Sequence, residues 1–391
     1  MVLYQGLALT FLDFDPEKLV GWKGAQFHVS SLWLEGTEPD KRNDVAGLTG
    51  SVYSDPSNIS GYDTYRLYEL WLEQTFLDGK FSARFGQIGV DQEFLCDDYA
   101  CVFINGAHGW PDFVAVSIPD GGPAYPMAGT GLRLKYAPCD RIKFLAAMMD
   151  GDVHNQATDN RYGTHFGFHA CEGFLSIFEA AFRLNQGADD KGLPGTYKFG
   201  GWYHSGDFDD VRRDTAGRSL EDDGTLSGLS STGIPRSHTG NGGIYFDASQ
   251  MLWREREGSD EGIGVYLRLA PWLPDDRNPI SFYAAGGVHF QGPLPERPDD
   301  VFAVGVSYAQ VSDSLRGAQR DANRIASLSG TPNNLAPGPL PDYEMAVEAT
   351  YQLKLTPWWA LQPDFQYIFH PGGSTALHDA VVIGLRTQIT F

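Results

Sequence analysis

Polar and apolar residues alternate along most of this chain. In the closing stretch "VVIGLRTQITF", Val381, Ile383, Leu385, Ile389 and Phe391 share one parity, with Thr387 its single polar member. Val382, Gly384, Arg386, Gln388 and Thr390 share the other. A period of two marks a strand with one apolar face. Segments of about ten residues with this pattern, divided by clusters of Gly, Pro, Asp and Asn, recur throughout. They run from "GLALTFLDFD" and "AQFHVSSLWLEG" through "FLSIFEAAFRLN" and "GIGVYLRLAPWL" to "EMAVEATYQLKLT" and "ALQPDFQYIFHP". About fifteen strands result, with almost nothing of helical period between them.

The connections differ in length in a regular way. "LDGK", "APCDR" and "LTPWW" are short, whereas residues 92–128, 207–241 and 312–341 read as long polar loops. One end of short turns and one end of long loops is the layout of an outer-membrane barrel. Aromatic residues gather at strand ends, as in Tyr65 and Tyr68, Trp202 and Tyr203, Trp358 and Trp359, and Tyr367 and Phe369. Amphipathic rings favour the headgroup level of a bilayer. The predicted fold is therefore all-β: a transmembrane antiparallel β-barrel occupying residues 1–391 as one domain. If "LDGK" lies on the periplasmic side, the first visible strand descends and Phe391 also ends inside. That odd count predicts one further strand, and a signal peptide, ahead of Met1, giving the even number usual in bacterial barrels. A terminal strand ending on Phe391 is expected to be stitched to the first strand rather than frayed.

Composition agrees. Of 391 residues 42% are hydrophobic and 13% aromatic, with mean hydropathy −0.28. No run reaches the ~18 apolar residues of a membrane-spanning helix, but a barrel strand needs only every second residue to be apolar. A net charge of −21 argues against nucleic acid as a partner. The acid concentrates in apparent loops such as "EDDGT" and "REREGSDEG". "GDFDD" holds Ca²⁺-ligand residue types without the spacing of a dedicated loop, so it is a weak signal and no cofactor is expected. Cys96 and Cys101 bracket "CDDYAC", a spacing that fits a local disulfide in an oxidising compartment. Cys139 and Cys171 have no zinc-site spacing, and no metal centre is expected.

The stretches "RLYELWLEQTFLDGKFSARFGQ", "FINGAHGWP", "GGPAYP", "GGWYHSGDFDD", "QMLWRE" and "LQPDFQYIFHPGG", followed by "GLRTQITF", together resemble the carbohydrate-selective porins of the OprB family. The resemblance spans essentially the whole chain. It implies a sixteen-stranded barrel in the outer membrane of a Gram-negative bacterium, through which monosaccharides such as glucose diffuse passively. It also implies outer-membrane lipids as surroundings, Phe391 as part of the signal read by the assembly machinery, and no enzymatic activity. Monomer and homotrimer both remain open.

A channel for neutral sugars needs polar donors and acceptors at a constriction, with aromatic faces for the sugar ring. Taking Tyr68, Leu70, Leu72 and Phe76 as outward turns Glu69, Trp71 and Glu73 into the lumen. The same parity turns inward Arg84, Arg133, Lys135, Glu179, Arg183, Asp247, Arg268, Glu348 and Arg386. The segment 92–128 is expected to fold into the mouth or lumen, bringing Asp91, Glu93, Asn105 and Trp110. Trp71, Arg84 and Trp110 are the expected sugar contacts. The alternatives are a general diffusion porin, a soluble sugar-binding β-sandwich and a glycosidase. Glu69 and Glu73, four apart on a strand, would lie ~13 Å apart, too far for the roughly 5–9.5 Å that glycosidase carboxylates require. His165 and His169 are separated by the same spacing.

Overall fold

A computed structural model describes residues 2–36, 45–153, 160–169, 171–187, 190–329 and 336–391. It contains fifteen strands in one sheet, in chain order. They are β1 (Gly6–Phe14), β2 (Ala25–Glu35), β3 (Thr64–Phe76), β4 (Phe81–Ile88), β5 (Gly129–Cys139), β6 (Ile142–Asp150), β7 (Phe174–Leu184) and β8 (Gly195–Asp214). The sheet continues with β9 (Pro235–Arg254), β10 (Gly262–Trp272), β11 (Ile280–Gln291), β12 (Val301–Val311), β13 (Tyr343–Thr356), β14 (Trp359–Phe369) and β15 (Ala380–Ile389). Consecutive strands pair antiparallel throughout. Four α-helices accompany them among the described residues: α1 (Pro16–Val20), α2 (Val45–Thr49), α3 (Asp112–Ala115) and α4 (Asp313–Ser329). Among the described residues no helix is long and apolar enough to cross a membrane.

The alternation in sequence becomes two faces. On β12, Val301, Ala303, Gly305, Ser307, Ala309 and Val311 are buried inside, whereas Phe302, Val304 and Val306 are exposed outside. Phe85, Phe144, Phe178, Phe199, Leu267 and Phe365 extend this outer apolar surface. Such a surface suits hydrocarbon, not water. Inside lies the segment between β4 and β5, which folds into the lumen rather than over it. Phe94, Phe103, Phe113 and Val114 of that segment form one buried cluster with Tyr245, Tyr266 and Tyr283 of the wall. Small residues on the wall make room for them. A Cβ on Gly305 would sit 2.7 Å from the ring of Phe103, and one on Gly287 3.0 Å from it.

Several expectations need correction. The count is not among them, since about fifteen strands were expected and the described residues form fifteen, but no backbone pairing joins β1 to β15. Phe391 lies beyond the end of β15 and is fully exposed, so it is not stitched to β1. Residues 207–241 are not a loop along their whole length, because β8 and β9 run on as a long hairpin to Asp214 and from Pro235. The 312–341 segment contains α4, whose Ala318, Ala322 and Ile325 form a buried stripe. Arg212 on β8 grips Asp321 of that helix with two hydrogen bonds of 2.9 and 3.1 Å. Tyr68 points inward, not outward. A register shift opposite Val29–Ser31 places one extra residue on β3, so Arg66 and Tyr68 face inside above it while Glu69, Trp71 and Glu73 face inside below.

Candidate functional site

Register brings charged residues of neighbouring strands opposite one another. Glu73 on β3 faces Arg84 on β4, which faces Arg133 on β5. Glu93, arriving from the inward segment, completes a quartet. Arg84 donates to Glu73 Oε2 from Nε at 3.0 Å and Nη2 at 2.8 Å. Arg133 Nη2 donates to the same oxygen at 2.8 Å and to Glu93 Oε1 at 2.8 Å, while its Nη1 donates to Ser82 Oγ at 2.8 Å. Lys135 Nζ stands 3.8 Å from Glu73. Two carboxylates balance two guanidiniums in the quartet, and Lys135 leaves the whole group with one surplus positive charge. Water still reaches it: the Glu93 side chain is 23% exposed and that of Lys135 36%.

Trp71 sits against this quartet, but its ring is not free. His28 on β2 stacks at 4.7 Å between centroids, and the Arg84 guanidinium lies 3.7 Å from the indole centroid. These neighbours come from the two strands flanking β3, so the indole is enclosed and only 6% exposed. Trp71 therefore positions Arg84 by a cation–π contact and offers no face to a sugar ring.

Most other inward acids hold loops. Glu69 accepts from Gly89 N at 3.0 Å, and Glu179 from Leu95 N at 3.1 Å and Tyr245 OH at 3.0 Å. Glu348 accepts from Ile104 N at 2.6 Å and Asn105 N at 3.0 Å. Glu344 on β13 takes Val52 N, Tyr53 N and Gly372 N together with the hydroxyls of Ser51 and Ser54. A segment folded into a lumen buries backbone N–H groups that no sheet satisfies. Charged acceptors on the wall supply the partners, each such bond being worth about 1.5–3 kcal/mol.

The remaining candidates sort by access. Arg268 and Asp247 are fully buried and paired at 2.8 Å, with Arg268 also donating to the carbonyls of Leu95, His108 and Gly109. Neither can touch a solute. Asn105 is also fully buried, bonded through Nδ2 to Gln366 at 2.9 Å and capping a 3-10 turn through Ala107 N. His108 beside it is pushed down to about 3 by burial, reinforced by Arg268, so its imidazole is neutral. Asp91 accepts from Tyr125 N at 3.1 Å and Tyr68 OH at 3.3 Å, and burial pushes its carboxyl up to about 6. Trp110 is half-buried, its indole oriented by Nε1 donating to Gly121 O at 2.9 Å.

The expected Cys96–Cys101 disulfide is absent. Both thiols are free, Cys96 Sγ donating to Asp91 O at 2.8 Å and Cys101 Sγ to Asp98 O at 3.0 Å. Each is aimed at a different carbonyl rather than at its neighbour. The "GDFDD" acids also have protein partners. Asp207 accepts from Thr239 and Asp210 from Arg212 N and Arg213 N, with His238 3.0 Å away. His165 and His169 lie outside the strands, and His169 Nδ1 is 2.8 Å from Asp150. Sequence reasoning missed Glu344, Asp55, Asp112 and Tyr125. The last belongs to the "GGPAYP" stretch, whose density of Gly and Pro was the available signal for a fixed turn.

Comparison with known proteins completes the description. The sequence model of the family described as "Carbohydrate-selective porin, OprB family" matches residues 4–391. Porin B of Pseudomonas aeruginosa is 27% identical over 387 residues, covering 97% of this chain and 80% of that protein. The high-pH structure of Pseudomonas putida OprB superposes with a TM-score of 0.84 at 24% identity, covering 99% of this chain and 88% of that one. The low-pH structure gives 0.55 at 16% identity, with 99% and 85% covered.

Proposed function

The chain belongs to the carbohydrate-selective porin, OprB family, and on that premise we propose that it passes monosaccharides such as glucose by passive diffusion along the watered side of its inward-folded segment. Membership makes it an outer-membrane porin of a Gram-negative bacterium. The choice of neutral solute rests chiefly on the Glu73–Arg84–Arg133–Glu93 quartet. Its carboxylates and guanidiniums stand at close range with both signs present, so a hydroxylated solute finds both donors and acceptors. Arg84 and Glu93, both partly exposed, are the groups we assign to contact with passing sugar. Binding there must be weak, because a site that retains sugar does not conduct.

Uptake of labelled glucose by porin-deficient cells tests the reading. Cells expressing this chain should accumulate glucose faster than cells carrying the empty vector at low external sugar. Equal uptake would remove the proposal.

A further inference from the structure

The lipid-facing wall carries a groove at its outer end. In porins the short turns are periplasmic and the long loops extracellular, so the tip of the β8–β9 hairpin and the connection from β10 to β11 stand outside. The groove has a volume of about 580 Å³ and is lined by Tyr203, Gly240, Gly242, Ile244 and Trp272, beneath a rim that includes Asp276. Two local devices form it. Between Leu269 and Trp272 one extra residue on β10 shifts its register against β9. Strict alternation from Leu267 and Leu269 would turn Trp272 inward, but the bulge turns it outward, where it is 58% exposed. On β9 the outward parity of Phe246 and Ile244 continues into Gly242 and Gly240, which have no side chain to fill the wall. Tyr203 on β8, opposite Gly242, leans over both: a Cβ on Gly240 would strike its hydroxyl, and one on Gly242 would lie 3.4 Å from its ring. The rim charges are engaged within the protein. Arg277 donates to both carboxylate oxygens of Asp276, at 2.8 and 3.2 Å, and Asp275 accepts from Asp313 N and Ser314 N at the start of α4. The trough below them is mainly apolar.

We propose that this groove seats one acyl chain of lipopolysaccharide, the lipid of the outer leaflet, between the rings of Tyr203 and Trp272. An apolar trough that faces hydrocarbon is not filled by water, which needs polar partners. Left empty, it would forfeit dispersion contacts along its lining. A flexible chain fills it. Lipid tails are as apolar as leucine, so no hydrophobic gain distinguishes the seat from the surrounding bilayer, and packing must hold the occupant. The two rings supply that packing, with C–H groups of the chain against their faces. Their height agrees, since Tyr and Trp settle at the membrane interface. The inference uses the outer-membrane location and is independent of which solute the pore passes. Trp33 provides a comparison: it also faces outward at the outer end of its strand, β2, is 56% exposed, and stands apart from the groove.

Native mass spectrometry of protein extracted in mild detergent from a Gram-negative outer membrane tests this, with co-purified lipopolysaccharide as the readout. Wild type should retain one lipopolysaccharide molecule per chain. Trp272→Ala removes one wall of the groove, and Ile244→Trp fills its floor. Each should lower the ratio of lipid-bound to free protein about tenfold, the size of one lost ring contact. Trp33→Ala should retain lipopolysaccharide as wild type does. Heat-modifiable migration identifies variants that have folded. Wild-type retention in folded Trp272→Ala and Ile244→Trp would overturn the seat, and so would an equal loss in Trp33→Ala. Wild type that carries a phospholipid or a second copy of the chain, and no lipopolysaccharide, would overturn the choice of occupant.

Discussion

Arg268→Met tests the claim that wall charges hold the inward segment. Arg268 is fully buried, and its guanidinium serves Asp247 at 2.8 Å and the carbonyls of Leu95, His108 and Gly109 at 2.5, 3.0 and 2.9 Å. Methionine keeps the length of the stem but none of the donors. Asp247 is then left charged in the interior, with Lys198 at 4.0 Å as its remaining cation. Breaking a buried pair in this way costs roughly 3–5 kcal/mol. At 1.4 kcal/mol per tenfold, the docked segment loses at least about a hundredfold in population. Adding Asp247→Asn removes the stranded charge, so the double variant should recover part of the loss while the three carbonyls stay unserved. Chymotrypsin provides the assay, because Phe103 and Phe113 are buried in the docked segment and become cleavable when it leaves. The expected order of cleavage is Arg268→Met fastest, the double variant intermediate and wild type slowest. Cleavage of Arg268→Met at the wild-type rate would refute the reasoning. A double variant cleaved faster than the single one would refute its electrostatic half.

Glu93→Gln should leave the quartet with one surplus positive charge and shift reversal potentials toward anions in a salt gradient. Its cost in stability should stay near or below about 1 kcal/mol, because the group is partly exposed. Gly305→Val should clash with Phe103 and cost about 1–3 kcal/mol, seen as a lower urea midpoint; an unchanged midpoint would mean that the loop does not press on β12. Asp91→Asn concerns pH. Burial raises the Asp91 carboxyl from 3.8 to about 6, so its contribution is full below pH 3.8 and lost as pH rises through 6. Between pH 5 and pH 8 wild type should lose about 1.4 kcal/mol relative to the Asn variant, which has no proton to lose. Parallel midpoints for the two proteins across that range would contradict the assignment.

The strands and their lipid-facing parity were legible because period two survives in sequence wherever one face meets hydrocarbon. It failed at Tyr68, where one extra residue shifts the register and no local residue type announces it. The long hairpin of β8 and β9 was read as loop because, away from lipid, "SGDFDDVRRD" needs no apolar face to form a strand. Helix α4 went unseen because its inner stripe is built on Ala318, Ala322 and Ile325 rather than on large apolar residues. In the site, inward direction was readable for Glu69, Glu73, Arg84, Arg133, Asp247 and Arg268, but their tasks were not. Direction depends on parity alone, whereas task depends on whether a backbone N–H or a solvent-filled space lies opposite. Hence Glu348 and Glu179, which look like pore charges in a strand, serve as receptors for loop amides. Trp71 looked like a sugar platform until the two neighbouring strands covered it.

Proteoliposome swelling measures the central claim most directly, that this porin favours neutral sugars over ions of like size. Purified protein should admit glucose faster than gluconate or glucuronate at matched osmolarity, because the lumen charges are of mixed sign inside a protein of net charge −21. Equal rates for sugar, amino acid and anion would contradict the account and leave a general diffusion pore in its place.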